Sequence, residues 1–208
     1  MLRNMWVGAY DGLRLRSTSG AMVLDTKQAA VVRSVTLAVI IVLVALGLSF
    51  LIPPTALPAD DAGARVAWAL LWVILPMLAL MVSVMRVANH RFATPEDIDG
   101  SGLTVGSARV QLLRAVLQNT LEQSVLAAGA YLIGAIALPH GWLRIIPPAA
   151  VSFAIGRILF ALGYDRGAAG RGLGFGLTAY PTFGLLGTIA ILLGGRLARW
   201  FVQEFNQQ

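Results

Sequence analysis

Long apolar runs alternate with short polar segments along most of this chain. Residues 34–52 and 66–85 carry no charged side chain, and each is close to the ~20 residues that cross a bilayer as a helix. Residues 115–138 hold one charge, Glu122, residues 148–164 hold one, Arg157, and residues 172–193 hold none. The pattern predicts five spanning helices and an all-α integral membrane protein. Pro76 falls midway along the second run, a position that membrane helices tolerate better than soluble ones. If all the runs were core helices of a soluble domain, too little polar chain would remain to cover them.

Composition agrees with this class and narrows the chemistry. Of 208 residues, 57% are hydrophobic and 12% charged, against about a quarter charged in a soluble domain. With no cysteine and two histidines, the chain has no means of building a disulfide framework, a thiolate metal site or a histidine-rich metal centre. The formal charge of +6 does not point to nucleic acid, because the arginines cluster at the ends of apolar runs rather than in one basic stripe. Their distribution instead predicts orientation. Arg3, Arg14, Arg16, Lys27, Arg33, Arg86, Arg91, Arg109, Arg114, Arg166 and Arg171 fall on the N-terminal face, with Arg65, Arg144, Arg196 and Arg199 opposite. By the positive-inside rule the N-terminus is cytoplasmic. The opening residues lack the apolar core of a cleavable signal, and Met5, Trp6 and Val7 belong to a solvated tail. Segment 97–100 has a faint calcium-loop spelling without the later glutamate, so an ordinary turn is expected. The glycine-rich 167–176 reads as a flexible hairpin between helices.

Charge inside a bilayer is costly and marks function by default. The third run carries Asn119 and Glu122 at i and i+3, flanked by Gln118 and Gln123. On the fourth, Arg157, Phe160, Ala161 and Tyr164 share one helical face. The two helices run in opposite directions around a tight turn, which puts Glu122 and Arg157 at comparable depth. Two readings follow: a buried ion pair that fixes helix packing, with Asn119 as an interhelical hydrogen bonder, or a ligand site.

These residues also carry a resemblance. Arg114-Ala115 followed by Asn119-x-x-Glu122 resembles the R-A-x-x-N-x-x-E signature of the MAPEG superfamily, the membrane-associated proteins in eicosanoid and glutathione metabolism. Arg157, Gly163-Tyr164 and then Arg171 are similar to its R-x6-Y element and the arginine that follows. The likeness covers residues 66–193. It implies a MAPEG-like four-helix membrane domain over 66–197, preceded by a cytoplasmic segment (1–30) and an additional transmembrane helix (31–53), and followed by a C-terminal tail (198–208). The family arginine stands four residues before the asparagine, whereas Arg114 stands five before Asn119. One residue turns a helical position by about 100°, so either a bulge restores the facing of Arg114 or it points elsewhere. Phe175 stands near where some enzymatic members place a second tyrosine.

The resemblance further implies a homotrimer in the bacterial inner membrane, with glutathione as cofactor held between subunits. Arg86, Arg114, Asn119, Glu122 and Arg157 would be the cofactor-binding residues, Tyr164 and Arg171 the catalytic ones, with no metal. Glu122 is the anionic group suited to the glutathione ammonium, and the arginines suit its carboxylates and thiolate. A lipophilic substrate would arrive through the lipid bilayer. Three function classes stay open: a glutathione transferase or peroxidase for lipophilic electrophiles, a non-enzymatic lipid-binding or scaffold protein, and a small transporter. Small residues at 127–130 favour close packing around the third helix in the trimer, and the additional helix, with only small hydroxyls, is expected at the periphery of the bundle.

Overall fold

A computed structural model describes residues 26–100 and 103–205. All its longer elements are helices: α1 (Thr26–Leu48), α2 (Ala62–Ala93), α3 (Ala108–Ala137), α4 (Ile146–Gly163) and α5 (Gly167–Phe205). Segments 1–25 and 206–208 lie outside the described residues, and with them most of the expected cytoplasmic N-terminal segment, including Arg3, Arg14, Arg16 and the Met5–Val7 stretch.

Four uninterrupted helical stretches are long and apolar enough to cross a membrane, the last of them being His140–Phe205. That stretch folds back on itself at Tyr164–Arg166, where Gly167 takes φ +77°, a left-handed conformation open to glycine at little cost. Its legs α4 and α5 then run antiparallel, so the described residues make five helical passes through the bundle. Outward-facing Leu43, Val44, Leu71, Ile74, Met81 and Met85 are about half exposed. Such a surface belongs against acyl chains, and the protein is an all-α multi-pass membrane protein.

The glycine-rich segment corrects an expectation. Residues 167–176 are the first turns of α5, not a flexible hairpin, and the turn itself is confined to the residues just before Gly167. Their glycines are contact surfaces. A Cβ on Gly163 would come within 2.1 Å of the Gly170 carbonyl oxygen, and one on Gly174 within 2.2 Å of the Phe160 nitrogen. With little hydrophobic drive between helices in lipid, such close backbone approach is what holds them. One proline marks where backbone needs help. Pro181 has no N–H for the carbonyl of Leu177, and the Ser152 hydroxyl of α4 donates to that oxygen at 2.7 Å. Across α2 and α3, Ser124 donates to the Pro76 carbonyl at 3.0 Å.

The additional helix α1 lies along the outer side of α5, parallel to it. Gly172 faces Ser34, and Gly176 faces Ala38 at 2.5 Å from its Cβ, so a small-x-x-x-small pair on each helix meets its counterpart. The Ser34 hydroxyl also reaches the Ala169 carbonyl at 3.3 Å. Between α1, α4 and α5 remains an apolar cavity of about 210 Å³ bordered by Leu46, Phe50, Trp142 and Leu185.

At one face of the bundle, Asp97 organises the α2–α3 loop. Its buried carboxylate accepts from the Ser107 backbone N–H (2.7 Å) and hydroxyl (2.6 Å) and contacts His90 Nε2 (3.0 Å). Ser107 in turn caps α3 by accepting from the Val110 N–H at 3.2 Å, as N-cap serines do. These bonds hold the Asp97 carboxyl below the usual carboxylate range, the Ser107 hydroxyl contributing most and burial opposing. At the other face, Arg65 donates to the Leu138 carbonyl, Arg144 to that of Phe50 at 3.0 Å and His140 Nε2 contacts that of Pro58 at 2.8 Å.

Candidate functional site

Arg157 is the centre of the intramembrane polar set. It sits on α4 with 5% of its surface exposed. Its Nη1 donates to Asn119 Oδ1 of α3 at 2.9 Å, and its Nε donates to Thr178 Oγ1 of α5 at 3.1 Å. The Thr178 hydroxyl has given its own proton to the Gly174 carbonyl at 2.9 Å, which leaves its lone pairs to accept from arginine. The guanidinium also lies over the Phe160 ring at 4.3 Å and near that of Phe153 at 5.9 Å, positions that favour a cation. Arg157 Nη2 is buried with no hydrogen-bond partner.

From Arg157 an aromatic series leads to the α4–α5 turn. Phe160 packs edge-on to Tyr164 at 5.3 Å and against Phe175 at 6.4 Å. The Arg171 guanidinium then covers the Tyr164 ring at 4.6 Å. The i, i+3, i+7 face expected on the fourth helix is therefore real, and α5 closes it with Thr178, Phe175 and Arg171. Thr178 was not anticipated from sequence. Its place follows from the antiparallel packing of α4 and α5, in which a Cβ on Gly156, next to Arg157, would meet Thr178 Oγ1 at 2.5 Å.

Arg157 opens on its other side into a groove of about 390 Å³ between α2 and α4. Leu75, Leu78, Val82, Ile158 and Leu162 make most of its wall, and Arg86 stands in it with Arg157. Two guanidiniums, one with an unsatisfied N–H, thus border an otherwise apolar groove. Such a site suits a molecule with an anionic group and a large apolar part.

Glu122 and Arg114 lie elsewhere. Glu122 is exposed on the outer side of α3 and accepts from Gln118 Nε2 at 2.9 Å; no ion pair joins it to Arg157. The packing ion pair is thus not formed in the single chain, because Asn119 and Thr178 have taken the guanidinium. Nor does any bulge interrupt α3, so Arg114 turns away from Asn119 and joins Gln111, Gln118 and Glu122 in one exposed polar stripe. Gln111, Arg114 and Gln118 border a shallow depression along it. The candidate residues therefore form two groups: Asn119, Arg157, Tyr164 and Arg171 with Arg86 beside them, and Arg114 with Glu122 on the far side of α3.

Residues 65–191 match the model of the MAPEG family. The chain belongs to this family. The match runs from the start of α2 into α5 and leaves α1 outside. No curated protein and no solved structure matches the chain significantly. Membership adds the general kind, a membrane protein of glutathione and eicosanoid metabolism.

Proposed function

We propose that the protein is a glutathione-binding membrane enzyme of the transferase or peroxidase kind, assembled as a homotrimer and acting on lipophilic electrophiles. One observation carries this reading: α3 presents Gln118 and Glu122 outward from the single chain within its apolar run, with Arg114 on the same stripe at the run's end. A charged group facing lipid costs at least ~2.5 kcal/mol. A second copy removes that cost by covering the stripe, and it brings Glu122 toward a cationic groove like that of Arg86 and Arg157. Neither half is a site alone. Together they offer an anion for an ammonium and guanidiniums for carboxylates, the complement of glutathione.

The residues present fit that molecule. The orphaned Arg157 Nη2 is a donor without an acceptor, as a carboxylate subsite requires. Asn119, whose Oδ1 already accepts from Arg157, positions the guanidinium and keeps its own amide N–H to donate. Tyr164 and Arg171 stack at the polar end of the series and supply a hydroxyl and a positive charge for an anionic sulfur. When bound, glutathione would supply the thiol nucleophile. The apolar wall of the α2–α4 groove would receive the second substrate from the bilayer, with the N-terminus and loop face cytoplasmic.

That same wall favours a second reading, a lipid-binding or scaffold protein without catalysis. Isothermal titration of the detergent-purified protein with glutathione separates the two. Saturable heat at or below millimolar ligand is expected; its absence overturns the enzyme reading. A trimer in native mass spectrometry is the second expectation, and monomer alone in mild detergent would count against assembly through α3.

A further inference from the structure

α5 is longer than its membrane needs. Its 39 residues extend roughly 58 Å at 1.5 Å per residue, whereas a bilayer with its head groups measures about 40–45 Å. The excess lies at the C-terminal end. Arg196 Nη2 donates to the carbonyl of Ala137, the last residue of α3, at 2.9 Å. Residue 196 is thus level with the end of the bundle, and the following residues project about 13 Å past it.

That projection is amphipathic. At 100° per residue, Leu197, Ala198, Phe201, Val202 and Phe205 fall within one arc of about 140°. Arg196, Arg199, Gln203 and Glu204 occupy the opposite arc, and Trp200 falls among them, between Arg196 and Glu204. Leu197, Trp200, Phe201, Val202 and Phe205 are each about half exposed or more, so the described residues leave all of them uncovered. Directly before this segment stand Gly194 and Gly195. A Cβ on Gly194 would meet nothing within 4 Å, and one on Gly195 only the flexible Arg199 Nη1 at 3.8 Å. Neither glycine serves helix packing, unlike those at the start of α5, and a glycine pair is a common place for a helix to bend.

We infer that residues 196–205 are a membrane-surface anchor, which bends at Gly194–Gly195 and lies along the head-group layer where α5 leaves the bilayer. The occupant of the apolar arc is the lipid surface of the membrane that α5 itself crosses. Three features select it over water or a protein partner. The segment begins at the bilayer boundary, held there by Arg196. Tryptophan and phenylalanine beside arginine are the residues that settle at that boundary. With Arg196 and Arg199 against Glu204, the segment carries a net positive charge toward anionic phosphates. Upright, Trp200 would still reach the head groups, but Phe205 would stand in water.

The absence of native cysteine makes the test direct. Phe201→Cys, Gln203→Cys and Phe205→Cys variants of the full chain each take one environment-sensitive thiol fluorophore. They are placed in nanodiscs of phosphatidylcholine and phosphatidylglycerol, with or without a lipid bearing a nitroxide near its head group. The nitroxide is expected to quench the probes at 201 and 205 to a similar extent and several-fold more than the probe at 203, with aqueous iodide giving the reverse order. Iodide quenching at 205 equal to that at 203, with little effect of nitroxide, would mean an upright helix in water and overturn the inference. Protection of 201 and 205 from both quenchers would mean a protein cover, and would overturn it equally. Replacing Gly194 and Gly195 by alanine is expected to raise iodide access at 205 about twofold or more; unchanged access would remove the hinge.

Discussion

On its inner side α3 presents Asn119, Thr120 and Ser124, and the chain answers each of them. Asn119 accepts from Arg157, Thr120 donates to the Val116 carbonyl at 2.7 Å, and Ser124 donates to Pro76. On its outer side Gln118 and Glu122 face outward at that depth, with Arg114 and Gln111 about one and two turns nearer the helix start, and Glu122 has only its neighbour Gln118. The inner groups are largely a solved packing problem, although Gln123 Oε1 and the Tyr131 hydroxyl on the same helix are buried without a partner. Of the outer groups, Gln111 is answered by the Gly106 carbonyl at 3.1 Å, whereas Gln118 and Glu122 are bonded only to each other. Polar residues within a bilayer thus divide by what satisfies them: the inner set has partners within the fold, and the outer set is the part that the proposed assembly and ligand would answer.

The strongest way to break this comparison is at Glu122. Glu122→Gln keeps volume and hydrogen bonding but removes charge, and it has no buried cation to orphan. The melting temperature without ligand should stay nearly unchanged, while glutathione affinity falls by about 2–5 kcal/mol, the usual loss on breaking a buried charge contact across an interface. Melting curves with and without glutathione read both quantities. An early-melting variant that binds normally would move Glu122 to the structural side.

Next comes the inner side. Asn119→Leu takes the acceptor from Arg157 and leaves Nη1 unpartnered beside Nη2. A loss of about 1.5–3 kcal/mol in stability is expected without ligand, the value of a hydrogen bond to a charged group. Adding Arg157→Met should restore much of it, since an apolar pair replaces an uncompensated cation. A double variant as unstable as the single one would show that the Arg157 cluster is not what Asn119 serves.

The loop that starts α3 gives a smaller, pH-dependent effect. The Asp97 carboxyl is held below its ordinary value by Ser107 and His90. Its contribution to stability is therefore complete above the unfolded value near ~3.9 and is lost as pH falls through the folded one. Thermal unfolding of detergent-solubilised protein should weaken on acidification below about pH 4. Ser107→Ala should be less stable at neutral pH and flatter in acid; an equal acid loss in both proteins would assign the effect to other carboxylates.

The smallest expected change sharpens the contrast from outside. Gln118→Ala removes only an i, i+4 contact on the exposed stripe, about 0.2–0.5 kcal/mol for an isolated helix. A larger stability loss, present in the trimer and absent from dissociated protein, would locate Gln118 within the assembly interface.

Much of the protein was legible along the chain. Apolar run length predicted the passes, because a bilayer demands a nearly constant number of helical residues whatever their neighbours. The family signature was legible too, as was the shared face of Arg157, Phe160 and Tyr164, since both depend on spacing within one helix. What spacing could not say is which neighbour answers a buried group. Glu122 looked the natural partner of Arg157 by charge and depth, yet Asn119, 60° away on the same helix, holds it. Arg114 likewise needed an unbroken α3 before its outward facing was certain.

The glycines teach the same lesson. At 167–176 their density read as looseness, but Gly170, Gly172, Gly174 and Gly176 lie in a helix where other helices press on them. Glycine permits both outcomes, and only the position of a second backbone chooses. By itself, then, the sequence determined the class, the passes and the chemical inventory, all of which follow from local spacing and the cost of polar groups in lipid. Tertiary structure alone decided the pairing of α1 with α5, the capping of Leu177 by Ser152 and the partners of Arg157. Each of those depends on atoms from distant segments meeting within hydrogen-bond or van der Waals reach, a condition that no periodicity within one segment encodes.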